Sequence, residues 1–289
     1  MRIRTVLISL LFTLCPCALC YGQLSFSSIH GEDGYSAVSG SYVWDLDNGF
    51  VLTPVYRFFT VTDVDLEDGA VSRYQLDSLY ELTDDWALLA MGFIQPKALG
   101  DWATGYKVGS EWKPFYYWHG IKHPFVRLSM GQNFYRTYVT SKGTSLDVYT
   151  NGQMDKFRQR DFFTDLEGGF DYHRLNLKAL YHKVLKYEKE VPSYISFGWA
   201  ELPYMTAIIQ GFIAQAAAMR VSYRTDFISP YAGWVQYRYL DRSRSAAAVL
   251  AGLDVRVWDV SFLGGVEIFE PRREENRRVF FTFTAEVNF

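Results

Sequence analysis

Cysteine is nearly missing. The 289-residue chain has three, Cys15, Cys17 and Cys20, all within its first twenty residues. The remainder has no thiol, which excludes a disulfide-stapled scaffold and a cysteine-ligated metal site. Proline is scarce (9), so the chain is not collagen-like. After residue 20 no apolar run reaches the roughly 18 residues that a helix needs to cross a bilayer. An excess of positive charge is missing too: 29 Lys+Arg stand against 32 Asp+Glu, which gives nucleic acid no electrostatic footprint. Aromatic side chains, at 18%, and glycine (22) are what the chain has in quantity, within 49% hydrophobic residues. That composition can bury a core, unlike a disordered chain, and it favours β-structure.

The first 22 residues read as an export signal. Arg2 and Arg4 form a positive n-region, residues 6–19 an apolar h-region, and Cys20-Tyr21-Gly22 a small-x-small cleavage site before Gln23. Lipidation at Cys20 is the alternative, but Leu19 stands where a small residue is wanted. Removing residues 1–22 takes away two arginines and no acid, moving the formal charge from −3 to −5. Residues 23–289 contain no linker, charge block or repeat, and read as one domain.

That domain alternates from end to end. In residues 279–289, Val279, Phe281, Phe283, Ala285, Val287 and Phe289 share one face, while Thr282, Thr284, Glu286 and Asn288 share the other. Period two over eleven residues is a strand with one greasy and one wet face. The same split recurs at Val249, Ala251, Leu253, Val255 and Val257 against Gly252, Asp254 and Arg256. Fourteen such runs lie near 24–29, 36–45, 50–61, 70–82, 86–95, 104–113, 123–139, 159–172, 174–187, 211–225, 230–240, 246–257, 259–270 and 277–289. Twelve or sixteen are the alternatives. Tight turn signals near 47–49, 83–85, 172–174, 226–230 and 258–259 alternate with longer connections at 30–35, 62–69, 96–103, 140–158, 188–210, 241–245 and 271–277. Short turns on one rim and long loops on the other are the rhythm of an up-and-down barrel. Residues 204–219 fit the rhythm worst: their alanines suit a helix folded into the lumen, and their pattern also suits a strand. The 140–158 loop is a second candidate plug.

The final strand carries a resemblance. Phe281, Phe283, Val287 and the terminal Phe289 resemble the C-terminal strand of bacterial outer-membrane β-barrel proteins, with an aromatic last residue and a hydrophobic residue two before it. The resemblance implies that these four residues form the insertion signal read by the barrel-assembly machinery, and that the chain resides in the outer membrane among its lipid and lipopolysaccharide. Together with the strand rhythm it predicts an all-β, transmembrane, up-and-down antiparallel β-barrel of about 14 strands. Tyr42, Trp44, Trp86, Trp112, Trp234 and Trp258, near strand ends, suit the membrane interface.

If the apolar face meets lipid, the other face lines the interior. It presents Arg73, Asp77, Glu81, Lys107, Glu111, Arg127, Asp161, Asp165, Glu167, Asp171, Arg174, Lys178, His182, Lys186, Arg238, Asp254, Arg256, Glu267, Arg278 and Glu286. The acids of 159–172 and the bases of 174–187 are expected to face each other as ladders, and such opposed rows orient polar solutes in a pore. The bland alternative is that the charges brace a filled barrel.

Catalytic patterns are thin. No histidine has a serine two residues on, the pair of outer-membrane phospholipases. Asp63-Val64-Asp65 and Asp171-Tyr172-His173 are similar in spacing to omptin-type protease motifs, yet the strand order sends Asp63 and His173 to opposite rims. Asp63 to Gly69 departs from a Ca²⁺ loop, with Tyr74 where the closing glutamate belongs. No metal site, cofactor or nucleic-acid partner is expected. Arg272, Arg273, Arg277 and Arg278 could reach lipopolysaccharide phosphates from an outer loop. The sequence thus reads as a porin-like channel for passive diffusion of small polar solutes. A structural, assembly or adhesion-type barrel acting through its loops is the alternative, and a rim-located hydrolase comes third.

Overall fold

The strand Arg278–Asn288 shows how the sequence builds the wall. Phe281 and Phe283 stand on the exposed face, while Phe280, Thr282 and Thr284 turn to the buried one. Repeated around the molecule, this alternation closes a sheet with no edge. In the computed structural model the described residues are 22–32, 35–46, 48–61, 69–98, 101–114, 120–140, 154–188, 199–201, 204–205, 208–210, 212–240, 245–270 and 277–289.

The strands are β1 (Gly22–Gly31), β2 (Ser36–Asp45), β3 (Phe50–Val61), β4 (Gly69–Thr83), β5 (Trp86–Ala98), β6 (Asp101–Trp112), β7 (Ile121–Thr140), β8 (Met154–Tyr172) and β9 (Leu175–Tyr187), then β10 (Trp199–Glu201), β11 (Ile208–Gln210), β12 (Ile213–Tyr223), β13 (Ile228–Tyr239), β14 (Ala246–Val257), β15 (Val260–Glu270) and β16 (Arg278–Asn288). Fourteen of them form one closed antiparallel barrel in which β9 pairs with β12 and β1 with β16, while β10 and β11 pair only with each other. At the seam Phe289 donates its backbone N–H to the Gly22 carbonyl, at 2.9 Å. The fold class and the strand number are those the alternation predicts.

Both ends of the barrel chain lie on the rim of the short turns 84–85, 173–174 and 258–259. One connection differs from expectation. Residues 96–103 do not form a long loop: β5 runs to Ala98 and β6 starts at Asp101. The connection between β6 and β7, by contrast, is longer than its neighbours on the short-turn rim. β7 and β8, at 20 and 19 residues, outreach β6 and β9, at 12 and 13, so this hairpin rises above its neighbours on the long-loop side. Residues 213–223 form a strand, not a helix. The export signal falls outside the described residues except for Gly22, which opens β1; so do residues 141–153 of the expected 140–158 loop, Asp63, Asp65, and Arg272 to Asn276.

The outer wall is apolar: Leu76, Leu88, Val108, Leu128, Met130, Leu166, Val249 and Leu253 each leave about half their surface exposed. Trp86 and Trp112, stacked with ring centroids 6.2 Å apart, mark its short-turn edge.

Candidate functional site

The inner faces of β6–β9 carry a connected row of charge. Glu111, Arg127 and Glu167 are direct cross-strand partners on β6, β7 and β8. Arg127 donates from Nε and Nη2 to Glu111 Oε2, at 3.0 and 2.5 Å, and from Nη1 to Glu167 Oε2 at 2.9 Å. One guanidinium fork thus satisfies two carboxylates, which a lysine could not do with the same geometry. Nearer the long-loop rim, Asp165 is held by Lys107 Nζ at 3.3 Å and His182 Nδ1 at 2.7 Å. Lys107 reaches it over Gly131, where an added Cβ would come within 2.7 Å of the Phe163 ring. Nearer the short-turn rim, Asp171 accepts from Asn176 Nδ2 at 2.6 Å and Arg224 Nη1 at 2.8 Å, and its Oδ2 lies 3.0 Å from His123 Nδ1.

Register and burial place most of the sequence-predicted lining residues on the inner face. Arg73, Asp77, Lys107, Glu111, Arg127, Asp161, Asp165, Glu167, Asp171, Lys178, His182, Asp254, Arg256, Glu267, Arg278 and Glu286 point inward. Several are wall fittings: Arg73 lies 3.8 Å from the Phe93 ring centroid, Asp161 is capped by Gln159 at 3.0 Å, and Glu267 is 2% exposed. Glu81 sits at the short-turn rim with Lys113 Nζ 2.9 Å away. That hydrogen bond, opposed by partial burial, holds the Lys113 ammonium above its ordinary range.

Four expectations need correction. Lys186 faces outward, because the irregularity opposite Phe162 and Phe163 turns it to the outer face that Phe162 occupies. Arg238 faces outward, because the inner positions of β13 are Tyr231, Gly233, Val235, Tyr237 and Tyr239. It stands exposed at the long-loop end of the strand. Arg174 belongs to the 173–174 turn and is exposed at the rim. The facing ladders of β8 and β9 reduce to one contact, Asp165 with His182; Lys178 is opposite Gly169, and Glu167 is opposite Leu180. The acids of β8 bond to both sides: to Lys107, Arg127 and His123 on β6 and β7, and to His182, Asn176, Tyr204 and Arg224 on the other.

The interior also holds a layer that the charge pattern did not announce. Ile29, Ala37, Phe59, Val71, Ala216, Ala218, Val235, Tyr237, Ala246, Ala248, Phe269 and Phe280 form a buried cluster on β1–β4 and β12–β16. All of them belong to the half of the barrel near the long loops. Tyr204 and Met205, from the connection between β9 and β12, pack against this cluster. The Tyr204 hydroxyl donates to Glu167 Oε1 at 3.1 Å. Burial first, and the Glu167 carboxylate second, hold its phenol far above the ordinary range, so it stays a donor. The connection that leaves β9 at the long-loop rim therefore dips into the barrel and ties its apolar layer to its charged wall. At the rim itself Phe212 packs edge-on against Tyr135, with centroids 4.9 Å apart.

Sequence reading also missed Arg57 and Arg220. Arg57 is the cross-strand partner of Arg73. Arg220 lies over the Tyr231 ring at 4.4 Å. Tyr231 itself fits because Gly252 and Gly265 leave its hydroxyl room that a side chain would take. Period two on β3 and β12 already put both arginines on the inner face, so the signal was available. Of the residues in the C-terminal resemblance, Phe281, Phe283 and Phe289 are exposed, and Val287 shares their face. His173, of the protease-like spacing, is in the 173–174 turn.

No protein-family model matches the chain, and no curated protein matches it in sequence. Solved structures do match its shape. It is similar to the CymD monoaromatic hydrocarbon channel, with a TM-score of 0.54 and 9% identity over 93% of this chain and 88% of that one. It is also similar to OprB of Pseudomonas putida, with a TM-score of 0.50 and 6% identity over 93% and 94%. The chain has the fold of bacterial outer-membrane β-barrel channels.

Proposed function

We propose that the protein is a channel of the bacterial outer membrane through which small polar solutes diffuse passively, past the charged wall of β6–β9. One observation carries this reading. Lys107 and Arg127 point into the barrel, yet their side chains keep 32% and 34% of their surface exposed, while their partners Asp165 and Glu111 keep 11% and 6%. Cations buried in a filled interior would not retain that much accessible surface; at this level the barrel holds water. Fixed opposite charges around that water orient polar solutes and pass ions by weak, repeated contacts. The apolar layer and Tyr204 narrow the path on the long-loop side, which makes the channel restrictive.

The same reading puts residues 1–22 in a removed export signal and the apolar wall against outer-membrane lipid. It gives Phe281, Phe283, Val287 and Phe289 to recognition by the barrel-assembly machinery. The test is swelling of proteoliposomes in iso-osmotic solutes of graded size. Swelling with small sugars and amino acids, falling off with size, supports the channel. A barrel that acts only through its loops is the second reading, favoured by Phe59 and Val235 at 0% exposure. Vesicles that stay impermeable with folded protein would support it and defeat the first.

A further inference from the structure

The outer wall is almost free of charge, and in one sector the charge it carries is positive. Along the outward-facing positions of β2–β4, β6, β12, β14 and β16 the described residues include no Asp, Glu, Lys or Arg. The exceptions gather at the long-loop ends of β7, β8, β9 and β13: Arg136, Arg158, Arg160, Lys183, Lys186 and Arg238. Glu188, directly after β9, is the one carboxylate beside them among the described residues at this end. Glu270, at the end of β15, is engaged by Arg277 at 3.0 Å in another sector.

The six cations form an ordered patch. Arg136 and Arg158 are direct cross-strand partners. Lys183 and Arg238 flank the same residue, Gln215, on either side of β12. The Arg160 guanidinium lies 5.1 Å from the centroid of Phe134, its own cross-strand partner, which pins it against the wall. Like charges placed directly opposite each other on a sheet destabilise it, and among the described residues none of the six forms an ion pair. The Arg136 Nε is buried and has no hydrogen-bond partner. Below the patch the wall is apolar again, with Leu166 and Met219 about half exposed.

This arrangement asks for an anion above and acyl chains beneath. We propose that the outward arginines and lysines of β7, β8, β9 and β13 bind the phosphate groups of outer-leaflet lipopolysaccharide, whose acyl chains lie on the apolar wall below. The proposal rests on the outer-membrane reading and goes beyond it by assigning the lipid to a defined sector. Arginine suits the role because its planar fork donates two hydrogen bonds to one phosphate. A phosphate between Arg136 and Arg158 turns a repulsive pair into a clamp. The loop arginines of 272–278 are not its basis: Arg277 is already paired and Arg278 points inward.

The test uses the full-length protein in detergent micelles with purified lipopolysaccharide, its enzymatically dephosphorylated form, and anionic phospholipid as probes. Bound lipid is counted by native mass spectrometry and affinity by titration. The double variant Arg136→Gln/Arg158→Gln is compared with Arg174→Gln, a change at the opposite rim, and a heat-modifiability shift on gels confirms that each barrel is folded. The expected result is tight, salt-sensitive binding of the phosphorylated lipid, at least tenfold weaker in the double variant and after dephosphorylation, and unchanged in Arg174→Gln. Equal binding of the dephosphorylated lipid, or equal binding by the double variant, overturns the proposal, as does a preference for anionic phospholipid. Ion conductance of the double variant in planar bilayers separates the two levels. If it persists while lipid binding proves non-specific, the lipid site fails and the channel stands.

Discussion

The Tyr204 hydroxyl donates to the Glu167 carboxylate across 3.1 Å, although the two residues approach from opposite ends of the barrel. Glu167 lies near the short-turn end of β8, and Tyr204 belongs to a connection that departs from the long-loop rim. Glu167 also takes a hydrogen bond from Arg127, so one carboxylate joins the wall network to the inserted segment. Tyr204→Phe removes one hydrogen bond of a carboxylate that keeps its guanidinium. It is expected to cost about 1–2 kcal/mol in chemical unfolding from micelles and to leave the apolar packing in place. Tyr204→Ala removes the ring as well, and is expected to raise permeability to larger solutes in the swelling assay.

Arg127 is the more consequential partner. Replacing it with Gln leaves Glu111 and Glu167 facing each other from neighbouring positions across β7, with only Lys113 Nζ, 3.6 Å from Glu111, to offset the former. Removing one member of a fully buried ion pair costs about 3–5 kcal/mol; water reaches Arg127 and screens the loss, so the cost here is expected to fall below that range. Arg127→Gln is therefore expected to lower the unfolding midpoint in denaturant clearly. The open-channel reversal potential in a salt gradient is expected to move toward cation selectivity, because one fixed positive charge is gone.

The apolar outer wall predicts a different kind of sensitivity. Val108, on β6, faces outward with 50% of its surface exposed, an innocuous place for an arginine if water covers it. In hydrocarbon the same arginine costs about 2–4 kcal/mol near the bilayer centre. Val108→Arg is expected to destabilise the barrel refolded into lipid vesicles by that amount. Arginine at Arg238's neighbour Gln236, outward on β13 near the rim, is expected to cost far less.

Lys113 and Glu81 give a pH-dependent contact outside the wall. The hydrogen bond to Glu81 raises the lysine above its ordinary 10.5, so the contact stabilises the fold at any pH below that value where the glutamate is ionised. The stabilisation is lost as the pH climbs through the raised lysine value. Glu81→Gln is expected to lower the melting temperature slightly near neutral pH. That difference should vanish in strongly alkaline buffer, measured by circular dichroism in detergent.

Alternation alone predicts β2, β3 and β14 at the residues where they lie, because a wall with lipid on one side and water on the other forces period two on every strand. The interior was less legible. Charge alone puts Arg238 in the lumen, but at the rim both faces of the wall are wet, and there charge does not tell inside from outside. Tyr237, Phe269 and Phe280 were invisible as an inner layer for the converse reason: aromatic residues inside a barrel need a covering segment, and Tyr204 and Met205 are remote from them in sequence. The β8–β9 ladder failed on register. The 173–174 turn pairs Tyr172 with Leu175, and that register puts Glu167 opposite Leu180 and Lys178 opposite Gly169. Composition does not fix a register, and the bulge between Phe162 and Phe163 shifts only the pairs beyond it.

Single-channel recording in planar bilayers tests the water-filled, charged interior most directly. The account predicts discrete conductance steps for the native protein, larger steps for Tyr204→Ala, and weaker anion passage for Arg127→Gln. Silent bilayers with folded native and Tyr204→Ala protein would contradict it.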